Sequence, residues 1–109
     1  MTLSYSVSEN CPIIDEQGNQ FSTCTILNIL GDNFAPAALN QDKPDIMQGG
    51  LVLNGRMPIW LACHLASHYK NAFRWVATYD PKLGGAVVVA VTHPEQQLGN
   101  IIPVKLPVA

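Results

Sequence analysis

The chain has 109 residues, 48% of them apolar and only 13% charged, with a net charge of −2 and an isoelectric point near 5.8. That length predicts a single domain over 1–109, able to bury one core with little margin. An acidic balance without a Lys/Arg cluster excludes general binding to duplex DNA, which needs many cationic phosphate contacts, and no apolar run approaches the roughly 20 residues of a membrane span.

In chain order, residues 3–7 (LSYSV) alternate and predict a strand, Gly18-Asn19 a turn, and 21–29 (FSTCTILNI) a β-branched second strand paired with the first as a hairpin. Gly31-Asp32-Asn33 ends it. Residues 34–42 predict one short helix with Pro36 in its first turn, closed by Lys43-Pro44-Asp45. Residues 50–54 (GLVLN) read as a short apolar strand, Gly55-Arg56-Met57 as a tight connection, and 58–70 as a helix with Pro58 at its first position. The next strand is 74–79 (RWVATY), followed by a turn over 80–85 and a strand over 86–91. A loop over 92–100 leads to a last strand at 101–105, which Pro103 places at a sheet edge.

Strand, helix and strand over 50–79 form a βαβ unit with parallel strands and a right-handed crossover. The fold class is therefore α/β, a small sheet around one βαβ unit. The helix carries an apolar stripe, Leu61, Leu65 and Tyr69, yet Ile59, Trp60, Ala62, Cys63 and Ala66 leave it almost no polar face. A helix apolar nearly all round is covered on more than one side. With the low charge content, this predicts a homo-oligomer.

The three cysteines, Cys11, Cys24 and Cys63, are odd in number and contain no C-x-x-C pair, which argues against a disulfide framework and against a zinc knuckle and predicts buried free thiols in a reducing cytoplasm. The start, MTLSYSVSEN, lacks a charged region followed by an apolar one, so the expected location is the cytoplasm.

In open α/β sheets ligands bind beyond the carboxyl ends of the strands. Two loops leave parallel strands there, Gly55-Arg56-Met57 and Asp80-Pro81-Lys82-Leu83-Gly84. The first enters a helix N-terminus, which favours an anion. Arg56 adds a planar fork suited to phosphate, and Gly55 allows close backbone approach. The alternative is an Arg56–Asp80 pair that merely closes the sheet end. Asp80 before Pro81 is either an Asx turn or a strand-end carboxylate acting as base or metal ligand. His64 and His68 stand at i, i+4 without the Glu of a zinc-protease motif. His93 follows a buried strand. Asp80 with His93 and one further histidine has the donor types of a divalent transition-metal site.

The segments GRMPIWLACHLASHY (55–69) and ATYDPKLGGAVVVAVTHP (77–94) together resemble the CRISPR-associated Csx-three family, the third family of CRISPR ring nucleases. Its pattern is a G-R-x-P-I-W-L helix start, a histidine at the helix end, Y-D-P-R-L-G, an A-V-V-V strand and a histidine after it. The resemblance implies a fold related to the CRISPR-associated Rossmann group. It implies a metal-dependent phosphodiesterase that uses manganese to cut cyclic tetra-adenylate, the second messenger of type III CRISPR systems, and so switches antiviral signalling off. It also implies homodimers stacked around the ring. Manganese-dependent trimming of RNA 3′ ends is a further family activity, which makes short single-stranded RNA a second candidate partner; binding of the ring without cleavage is the other alternative.

Carried over residue by residue, Gly55, Arg56 and Asp80 match, and Lys82 stands for the family arginine, so the expected ligand-binding residues are Gly55, Arg56 and Lys82. The family's helix histidine falls on Ser67 counted from Trp60 and on His68 counted back from Asp80. The histidine three positions later meets Lys70 or Asn71, and the strand-end histidine meets Thr92 or, with a one-residue shift, His93. Asp80 and His68 are thus the expected catalytic residues, and His68, Asp80 and His93 the expected manganese ligands.

Overall fold

The computed structural model describes residues 3–15, 17–32, 34–46, 49–104 and 106. Of the sequence-predicted elements, Asn33 and Lys105 lie outside these residues. The amino-terminal hairpin forms as expected but is longer. β1 (Ser4–Ile14) pairs antiparallel with β2 (Gln20–Leu30). Between them Asp15 caps the turn, its Oδ1 accepting from the amides of Gln17 (3.0 Å) and Asn19 (2.8 Å), and Gly18 supplies the positive φ of 84°. β1 extends beyond residue 7 because a bulge absorbs one residue: Ser8 faces Ile26 and Cys11 faces Cys24, with Asn10 at φ 56° between. The bulge breaks the two-residue alternation, which is why alternation alone stops the strand early.

The helix expected over 34–42 is only a 3-10 turn, Pro36–Asn40. Ala35 offers no capping side chain and the turn buries none of its residues, so nothing offsets the cost of nucleating an α-helix. β3 (Gly50–Asn54) and β4 (Trp75–Asp80) run parallel, with Gly50 opposite Trp75 and Leu53 opposite Thr78. α1 (Ile59–Tyr69) connects them, as the βαβ reading requires. Pro58 precedes the helix instead of opening it. Its φ of −65° suits either position, but ψ of 156° makes it the cap, whose carbonyl accepts from Leu61 and Ala62. β5 (Gly85–Val91) returns antiparallel to β4, and β6 (Ile101–Ile102) pairs with β5. The expected strand over 101–105 changes partner at Pro103, whose carbonyl accepts from Ile14 (3.0 Å) while Val104 bridges to Ile13.

The result is a six-stranded mixed sheet in the order β1-β2-β3-β4-β5-β6, with β2, β3 and β4 parallel. One face packs Leu27, Leu51, Leu53 and Val76 against Leu61, Leu65 and Tyr69 of α1 and against Phe34 and Ile46 of the β2–β3 connection. Each leucine of that stripe contributes on the order of 1.5–3 kcal/mol by leaving water. Among the described residues no helix covers the other face. The sheet curls instead, and the bridge from Val104 to Ile13 closes a second core of Cys24, Ile26, Val52, Trp75 and Val88. The central strand β3 is therefore apolar from Leu51 to Leu53, where both its faces are covered. Among the described residues no helix is long and apolar enough to cross a membrane.

Candidate functional site

Three parallel strands end side by side, since Asn28 pairs with Asn54 and Leu53 with Thr78. The loops after Leu30, Asn54 and Asp80 consequently share one end of the sheet. Gly55 has φ 143°, and a Cβ there would lie 2.5 Å from the Ile29 carbonyl oxygen, so only glycine lets β3 turn beside β2. That turn presents Arg56 to solvent in a cleft of about 400 Å³ lined by Asp32, Phe34, Met57, Pro58 and Trp60. The α1 start opens beside it: Pro58 has no N–H, no acidic side chain sits in the first turn, and the first amide bonded within the helix is that of Leu61.

Asp80 closes β4 opposite Gly85. Its Oδ1 accepts from the Lys82 amide at 2.9 Å, and its carbonyl accepts from Leu83 and Gly84. The Asx turn read from Asp-Pro is thus formed. Arg56 and Asp80 do not pair; among the described residues the ion pair present is Arg74–Glu95, at 3.7 Å. Gly55, Arg56, Asp80 and Lys82 share the carboxyl end of the sheet, with Arg56 and Lys82 as exposed cations.

His68 and His93 are at the other end. α1 runs back toward the start of β4, and β5 places Val91 opposite Trp75, so both histidines neighbour the amino end of β4. The five-residue length from Trp75 to Asp80 separates the ends by roughly 16 Å. His68, Asp80 and His93 are not brought together within one chain, and among the described residues no three His, Cys, Asp or Glu side chains form a metal-binding group. Periodicity placed each residue on its element, but only the antiparallel return of β5 fixes which end His93 occupies.

The amino end carries the larger cleft, about 690 Å³, with Ser22, Thr23, Asn71, Arg74, Thr92 and Glu95 on its walls. Asn71 is the position that the second helix histidine of the family meets when counted back from Asp80, and Thr92 the one that the strand-end histidine meets without a shift. Thr92 donates its hydroxyl to the Phe73 carbonyl (2.7 Å), which fixes it as a wall residue. His68 is exposed, stacked on His64 with centroids 6.3 Å apart and edge-on to Tyr69. His64 is held below the usual histidine pKa by burial, then by Lys43 and by His68. Burial, then Tyr5 and Asp45, pushes the Tyr69 phenol up to about 12, and its hydroxyl donates to the Pro44 carbonyl.

A polar row that sequence reasoning missed crosses the sheet near the carboxyl end. The Asn54 amide donates to Asn28 Oδ1 (2.9 Å), and Asn28 Nδ2 reaches the Ser6 carbonyl and the Ser8 hydroxyl. These asparagines share the face lined by Ile26 and Val52, since they stand two residues further along the same strands. The only sequence signal was an asparagine near the end of each of two apolar strands.

A family model described as CRISPR-associated protein (Cas_csx3) matches residues 29–103, which span the end of β2, the cleft around Arg56 and every candidate residue. An uncharacterized protein of Aquifex aeolicus (strain VF5) is 42% identical over 52 residues, covering 48% of this chain and 46% of that protein. The match thus spans about half the length of each protein. On the strength of the family match, the chain belongs to the CRISPR-associated Csx-three family.

Proposed function

We propose that this protein is a ring nuclease that binds cyclic tetra-adenylate between stacked copies and opens the ring, ending the antiviral signal. The observation that carries the reading is the division of the candidate residues between the two ends of one sheet: Arg56, Asp80 and Lys82 at the carboxyl end, His68 and His93 at the amino end. A flat ligand bearing phosphates around its rim suits a site made by opposing the carboxyl end of one copy to the amino end of the next. The relation to the CRISPR-associated Rossmann group rests on the β3–α1–β4 crossover and the three parallel strands.

Arg56 and the open α1 N-terminus then hold a phosphate by charge and N–H donation. Cleavage of a phosphodiester needs an attacking oxygen in line with the leaving oxygen, so proton acceptor and proton donor stand on opposite sides of phosphorus. Asp80 supplies a carboxylate on one side, and His68 or His93 of a facing copy an imidazole on the other. Within one chain the residues do not fit a manganese site, because Asp80 is too far from both histidines; a manganese site drawing on all three would need two copies.

One observation favours a second reading, a module that binds the ring without cutting it. The family's second helix histidine meets Lys70 or Asn71, so no histidine stands there, Lys82 replaces the family arginine, and Asp80 Oδ1 is already engaged in its turn. The test is to incubate the protein with cyclic tetra-adenylate or a short linear RNA, with and without manganese, and separate the products. Opening of the ring with linear RNA left intact is expected. Tight binding with no product would replace the nuclease by the binding module, and shortened RNA would replace it by an exonuclease.

A further inference from the structure

We propose that Cys11 and Cys24 are a disulfide-forming pair, oxidised by hydrogen peroxide to staple β1 to β2. The pairing is created by the β1 bulge. From Ser8↔Ile26 to Cys11↔Cys24, β1 advances three residues while β2 advances two. Asn10, at φ 56°, takes up the extra residue. Without it Asn10 would face Cys24, and Cys11 would oppose Thr23 on the other face. With it the two cysteines stand directly opposite and point into the same core, at 8% and 4% exposure.

Directly opposed residues of an antiparallel pair have Cα atoms about 4.5–5.5 Å apart, inside the roughly 4.4–6.8 Å range of a disulfide. Closing the bond draws the Cβ atoms together by about 1 Å. Both thiols are free, and the Cys11 thiol points back to the Ser8 carbonyl at 3.4 Å. Access is the second requirement. Both thiols are buried, at 8% and 4% exposure, so the oxidant has to be as small as peroxide, and a bulky disulfide such as oxidised glutathione is excluded.

The Cys24 thiolate attacks one peroxide oxygen. The O–O bond breaks, and the departing hydroxide takes up the proton the thiol gave up, leaving a sulfenic acid and one water. The Cys11 sulfur then attacks the Cys24 sulfur; the S–O bond breaks and hydroxide leaves with the Cys11 proton as a second water. Two thiols lose two electrons and one peroxide becomes two waters. Burial and the neighbouring Cys11 push the Cys24 thiol up to about 12, so the first step is slow near neutral pH. The disulfide is uncharged and apolar, so it suits the core that resists the thiolate.

Exposed Cys63 would react first, so the test uses the Cys63→Ser protein treated with peroxide. Both remaining thiols should disappear together, with a peptide linking Cys11 to Cys24 within one chain. Dithiothreitol should restore them, and the oxidised form should melt roughly 10 °C higher, because the bond closes a short loop in the unfolded chain. In the same background Cys24→Ala should leave Cys11 without an intrachain partner. The proposal is overturned if both thiols survive peroxide at a level that oxidises Cys63 in the parent. Linkage only between copies, or conversion of each thiol to a sulfinic acid without linkage, overturns it equally.

Discussion

Asp80 holds a turn whether or not it also takes part in the proposed chemistry. Its Oδ1 accepts from the Lys82 amide, a bond that asparagine makes equally well. Asp80→Asn should therefore keep the melting temperature within about 2 °C, in line with a near-neutral surface change. Ring cleavage should fall by about 100-fold or more, the usual contribution of a positioned acid–base group. Product assay beside thermal melts separates the effects, and unchanged cleavage would make Asp80 purely structural. His64 makes a prediction about acid. Its Nε2 is buried without a partner, and burial, Lys43 and His68 all oppose its proton. A lowered folded-state pKa means that the unfolded chain binds the proton first. The associated stability is fully present above the unfolded value of about 6.5 and is lost as pH falls below it toward the lower folded value. Melting curves between pH 7.5 and 5 should shift downward, and less so in His64→Gln.

At the level of elements, α1 is held by one buried stripe flanked by half-buried Trp60 and Ala66. Leu61, Leu65 and Tyr69 are buried, whereas Ile59 is 83% exposed and Cys63 faces solvent. The connection feeding it is fixed by backbone conformation more than by side chains. Gly55→Ala would force a side chain into φ 143° and against the Ile29 carbonyl. A loss of about 1–3 kcal/mol in stability is expected from such strain. Because the same turn aims Arg56 and the helix start, ring affinity should fall as well. Urea unfolding with ligand titration checks both, and an Ala variant as stable as the parent would show that the turn relaxes freely.

Over the whole molecule, opposing unlike ends makes a head-to-tail contact. A heterologous contact closes into a ring where its rotation allows and otherwise extends into stacks. Cyclic tetra-adenylate should accordingly raise the sedimentation coefficient, and Arg56→Ala should suppress the increase, since charge-assisted phosphate contacts are about twice as strong as neutral ones. A ligand-bound species no larger than the free protein would contradict a site shared between stacked copies. The sparse charge of the chain, 13% of its residues, is in line with the proposed contact between copies.

Local pattern determined much of this protein before any packing was considered. The apolar run of β3, the proline-led helix and the following strand fix a βαβ unit, since each signal acts within a few residues. G-R-M-P-I-W-L with Y-D-P-K-L-G likewise pointed to the family that the match over 29–103 bears out. Features that depend on residues far apart in the chain were left to the tertiary structure. The bulge at Asn10 lengthened β1, the lack of burial reduced 34–42 to a 3-10 turn, and Pro103 sent the last strand onto β1. The same limit governs the site. Sequence spacing placed His68, Asp80 and His93 on the right elements, but whether two ends of a strand meet depends on strand direction. The antiparallel return of β5 sets His93 about a strand's length from Asp80, because a strand rises about 3.3 Å per residue and cannot fold its own ends together.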